Sequence, residues 1–95
     1  MSTNTSDRVR IVSAELAEFI ATELNWDGAT DDLLGSTPVE LPAILDSSDL
    51  LELAGHLEDT YGIEIANDEI VPETFATVQV LAGVVVAKQE ELAAP

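Results

Sequence analysis

The chain has 95 residues, no cysteine, and 19 acidic residues against three basic ones, for a net charge of −16. That length fits one domain with a modest core, and the 4 % aromatic content requires a core built mainly from Leu, Ile, Val and Ala. The charge disfavours nucleic acid and anionic membranes and favours basic patches on other proteins.

Residues 1–5 are small and polar and are expected to fray, leaving a domain over 6–92 and a short tail at 93–95. Ser6 is the expected N-cap of a first helix. Val9, Val12, Leu16, Phe19, Ile20 and Leu24 recur there at helical spacing and form its inward stripe. The stretch "NWDG" ends it, with Trp26 packing at that end. A long connection over 28–45 follows. "DDLL" suggests one turn within it, but Pro38 and Pro42, four apart, predict no helix around them. Leu33, Leu34, Val39, Leu41, Ile44 and Leu45 should pin the connection to the core.

A second helix is predicted over 47–61, stopped by Gly62. "IEI" is too short for a strand, and "NDEI" suggests a single helical turn. Thr77 is the expected cap of a last helix, with Val78, Leu81, Ala82 and Val85 inward. The fold class is all-α: a small bundle of three main helices and one short one, with the long connection between the first and second. No targeting segment is visible, and the apolar run "VLAGVVVA" falls far short of the ~20 residues that span a bilayer. With no cysteine, this fits a cytoplasmic, monomeric protein.

The second helix separates into faces at 100° per residue. Leu50, Leu53, Ala54, Leu57 and Tyr61 form the core face. Ser48, Leu51, Glu52, Gly55, Glu58 and Asp59 fall on an outward arc, with Asp49 and His56 on the remaining side. That arc is either a solvated face or a docking face, with Leu51 as apolar anchor and the acids as steering groups.

At the start of this helix stands "DSSD". Asp46 as N-cap and Asp49 as the third helical residue resemble a capping box, which accounts for both aspartates but does not require Ser47. A serine nucleophile would need a base. The sole histidine, His56, lies nine residues on and on the opposite side of the same helix, so it is read as an ordinary exposed residue. No calcium loop, cysteine cluster or second histidine suggests a metal site. An exposed serine without a base suits instead a group installed by another enzyme. Next to Asp46 and Asp49, a phosphoryl-linked group should project outward.

The run "ILDSSDLLELAGHLEDTYGIEIANDEIVPETFATVQVLA" resembles the acyl and peptidyl carrier proteins, over roughly residues 9–90. The shared pattern is an Asp-Ser pair opening the second helix, acid and leucine positions as in "DLLEL", a segment like "LEDTYGIEI", and a Thr-Val start to the last helix. The resemblance implies that Ser47 receives 4′-phosphopantetheine from coenzyme A, beside Asp46 as flanking residue. A separate phosphopantetheinyl transferase would catalyse that step with Mg²⁺. Intermediates would then ride as thioesters on the arm's thiol, which accounts for a chain with none of its own.

The resemblance also implies that the protein is not itself an enzyme. Its other partners would be acyl-loading, condensing or tailoring enzymes with basic docking patches, meeting Ser48, Asp49, Leu51, Glu52, Gly55, Glu58 and Asp59. Two positions depart from the family: Ser48 stands where an apolar residue usually follows the modified serine, and Gly55 where an apolar side chain is common. Both imply dedicated partners rather than those of general fatty-acid synthesis. The longer "NDEIVPETF" stretch resembles discrete carriers of polyketide or nonribosomal-peptide assembly. The expected cargo is acyl, with an aminoacyl or peptidyl cargo as alternative; an unmodified acidic interaction module is the rival from another class.

Overall fold

The computed structural model describes residues 5–24, 26, 28, 30–35 and 39–93. It is all-α: among the described residues there are helices and turns and no strand. The long helices are α1 (Thr5–Glu23), α4 (Ser47–Tyr61) and α5 (Val78–Ala93), with short helices α2 (Thr30–Leu34) and α3 (Leu41–Ile44) between the first two. A single 3₁₀ turn, Asn67–Glu69, lies in the segment joining α4 to α5.

The inward stripes form one core. Leu16, Ile20, Leu33, Leu41, Leu53, Leu57, Phe75, Leu81 and Val85 are fully buried. Each such side chain contributes about 1.5–3 kcal/mol relative to exposure. Val9, Phe19 and Leu24 are only half-buried, at the margin of the core, as are Leu34, Val39 and Ile44 of the connection. Ser13, Ala17 and Val86 are buried as well, beyond the apolar stripe that periodicity marks. α1 makes its most extensive contacts with α5, and the start of α1 lies beside the end of α5, where Arg8 donates to Gln89 Oε1 at 2.6 Å. Gln89 in turn donates to the Tyr61 carbonyl at 3.3 Å, and the Tyr61 hydroxyl donates to Glu15 at 2.6 Å. One polar chain therefore links all three long helices.

Four expectations need correction. Ser6 is not the N-cap of α1, because the helix already includes Thr5, one residue inside the expected frayed end. At the other terminus α5 continues to Ala93, into the expected tail; residues 1–4 and 94–95 lie outside the described residues. A helix does form at Leu41–Ile44 despite Pro42. The proline sits in the first turn, where a missing N–H breaks no intrahelical bond and the fixed φ suits the helix. Pro38 lies outside the described residues. Finally, His56 is half-buried and stacked on Phe19, with ring centroids 3.9 Å apart. Its angular position places it between the core and outward faces, where α1 covers it.

α1 ends at Glu23, just before the expected stop "NWDG", of which Asn25 and Asp27 lie outside the described residues; the end of α4 follows its sequence signal. Trp26 packs against the core, and its backbone N–H reaches the Ile20 carbonyl at 3.4 Å. The Trp26 ring lies so close over Gly28 that a Cβ there would overlap it. α4 stops at Gly62, whose φ of 66° is the left-handed conformation that glycine adopts without a Cβ penalty. Thr77 caps α5, its Oγ1 accepting from the Val80 N–H at 3.2 Å.

Candidate functional site

The start of α4 is built by reciprocal capping. Asp46 Oδ1 accepts from the Asp49 N–H at 2.9 Å, and Asp49 Oδ2 accepts from the Asp46 N–H at 3.4 Å. The backbone Leu50 N–H closes the first turn on the Asp46 carbonyl at 3.0 Å. Both aspartates are thus committed to holding the helix end. Ser47 is the first helical residue and is exposed, and its hydroxyl has no hydrogen-bond partner among the described residues.

Beside Ser47 lies a cavity of about 280 Å³, lined by Ser47, Leu50, Leu51, Asn67 and Ile70. Its walls come from one side of α4 and from the segment around the 3₁₀ turn. The volume is just below the ~300–1,000 Å³ of small-molecule sites, so it suits a short chain segment rather than a whole ligand. Ser48 is also exposed but does not line this cavity.

The remaining outward residues separate by what they touch. Leu51 is 57 % exposed, which makes it one of the few large apolar side chains left in solvent. Glu52 and Asp59 are exposed, and Gly55 has nothing within 4 Å of where a Cβ would stand. Asp49 is half-buried in the capping box rather than free on the face. Glu58 also holds backbone. Its Oε2 accepts from the Ile65 N–H at 2.9 Å, tying α4 to the segment after it.

His56 cannot act on Ser47. Nine residues at 1.5 Å rise put them about 13 Å apart along one helix axis. The ring is held between Phe19 and the Thr60 hydroxyl, 3.3 Å from its Nδ1. Among the described residues no group of three or more His, Asp or Glu is arranged to hold a metal ion. No helix among them is long and apolar enough to cross a membrane.

Sequence reasoning missed Asn67, Ile70, Glu69 and Lys88. Glu69 Oε1 accepts from the Ala66 N–H at 2.9 Å, closing the 3₁₀ turn, and Lys88 Nζ sits 2.9 Å from its other carboxylate oxygen. The Ala66 N–H and then the Lys88 ammonium hold the Glu69 carboxyl below its ordinary value. The available signal was Lys88 itself, the one cation after Arg10 in an otherwise acidic chain.

The chain matches no known protein family, no curated protein and no solved structure.

Proposed function

We propose that this protein is a carrier that holds thioester intermediates on a 4′-phosphopantetheine arm attached to the Ser47 hydroxyl. The observation that carries the reading is the setting of Ser47. It is an exposed hydroxyl without a partner among the described residues, on a rigidly capped helix start, opening beside an apolar-walled cavity. The residues present fit such a group. Asp46 and Asp49 spend their carboxylates on the helix end, so Ser47 keeps a fixed direction. Leu50, Leu51 and Ile70 offer apolar surface to whatever is tethered next to them. When bound, the arm supplies the thiol that the polypeptide lacks and raises the local concentration of its cargo at partner sites.

In this reading the chain is a three-helix carrier bundle with short accessory helices. It performs no catalysis of its own and serves separate enzymes of polyketide-type or related biosynthesis. Leu51, Glu52 and Asp59 form the docking face, with Ser48 and Gly55 leaving it poor in apolar contact. Partners are therefore recognised mainly by charge, which predicts fast, salt-sensitive association. A peptidyl or aminoacyl cargo is the second reading, and loading assays with acyl-transfer and adenylating enzymes separate the two. An unmodified acidic interaction module would instead tolerate Ser47→Ala and lose binding on charge reversal at Glu52 and Asp59.

The test is incubation with a broad-specificity phosphopantetheinyl transferase, coenzyme A and Mg²⁺, followed by intact-mass analysis. A gain of one phosphopantetheinyl group, lost in Ser47→Ala, is expected.

A further inference from the structure

The segment from Ile63 to Ile70 is a strap between α4 and α5. Ile63 is its one buried anchor, with Ile65 and Ile70 half-buried, and no residue of the 3₁₀ turn is buried. What else fixes the strap is polar. Glu58 of α4 holds the Ile65 N–H, Glu69 holds the Ala66 N–H, and Lys88 of α5 holds Glu69, with its Nζ 2.9 and 3.1 Å from the two carboxylate oxygens. The strap also borders a groove of about 850 Å³ whose lining includes Glu58, Glu64, Glu69, Lys88, Glu91 and Leu92. Lys88 is the one cation among those lining residues. The strap supplies Asn67 and Ile70 to the cavity beside Ser47.

We propose that Lys88 is a latch: by holding Glu69 it fixes the strap, and through Asn67 and Ile70 it sets the shape of the cavity next to Ser47. Without the Lys88 charge, Glu69 loses its partner on α5 and the strap loses its tie to that helix. The strap then moves away from α5, because its apolar anchoring is sparse and segments of that kind open locally. A contact at the end of α5 that draws Lys88 away is thereby felt beside Ser47. Lys88 is a positioning residue, acting only through Glu69. The importance of the cavity rests on the carrier reading, but the latch does not, and it is tested on the full unmodified chain.

Amide hydrogen exchange is measured for Lys88→Gln, for Glu69→Gln, which keeps an acceptor for the Ala66 N–H, and for the double variant. Each single change should speed exchange at Ala66, Glu69 and Ile70 on the order of tenfold, as expected for a charge-assisted bond discounted for partial exposure. The double variant should go no further, and amides of Leu16 to Ile20 in α1 should hold their rates. The cavity is read by a solvatochromic thiol label on Ser47→Cys, a unique site because the chain has no cysteine. Its emission should shift to the red in the Lys88→Gln background. In the wild type, added NaCl should speed exchange in the strap while slowing it in α1. Unchanged strap exchange, equal acceleration in α1, or a label that does not respond overturns the proposal.

Discussion

Ser47 and Ser48 are adjacent, identical and both exposed, yet only Ser47 lines the cavity at the head of α4. The two aspartates around them are structural, and each caps the other's backbone. Cap and proposed attachment point should therefore separate on mutation. Asp46→Ala should cost about 0.5–2 kcal/mol, the usual loss for an N-cap. At this chain size that lowers Tm by roughly 4–8 °C per kcal/mol in a thermal melt. Ser47→Ala, at an exposed site without hydrogen bonds among the described residues, should stay within about 0.5 kcal/mol of wild type while losing the modification. The aspartate roles were legible from the spacing of "DSSD". The cavity that distinguishes the serines was not, because Asn67 and Ile70 lie about twenty residues further on and reach Ser47 only through the fold.

At the scale of elements, local chemistry made α4 and the start of α5 readable to the residue. An Asp cap, an apolar stripe and a left-handed glycine bound α4, and Thr77 opens α5. The connection between α1 and α4 was half legible: its apolar anchors were visible, but α3 was not. The proline rule forbids a helix interior and permits a first turn, and the sequence alone did not say which applied to Pro42. The stacking of His56 was not legible either, because one helix's periodicity does not reveal what a neighbouring helix covers.

The strap carries a pH prediction. The folded Glu69 carboxyl lies below its ordinary value of 4.5, so its stabilisation is complete above that pH and fades as pH falls through the lowered folded value. Wild type should melt above Glu69→Gln at pH 7, and the difference should close on acidification below 4.5. Tyr61 has the opposite sign. Burial, and then its bond to Glu15, raise its hydroxyl above the ordinary 10, so its contribution is full below that pH and is lost in stronger alkali.

For the whole molecule, charge dominates. A net −16 on 95 residues makes the folded state repel itself. The three cations are all used to join elements or hold helix ends: Arg8 meets Gln89 and Glu90, Arg10 meets Asp7, and Lys88 meets Glu69. Raising NaCl from low to moderate concentration, or adding Mg²⁺, should therefore raise Tm even though it weakens these pairs, because the repulsion is spread over many more charges. A flat or falling Tm would show that the pairs outweigh the repulsion. In the carrier reading the same field attracts basic partner surfaces to the face around Ser47, so stability and recognition should respond to salt in opposite directions.

The most direct test of the carrier reading is the intact mass of the chain after treatment with a phosphopantetheinyl transferase, coenzyme A and Mg²⁺. One added phosphopantetheinyl group is expected, disappearing in Ser47→Ala and persisting in Ser48→Ala. An unchanged mass, or an addition that survives Ser47→Ala, would contradict it.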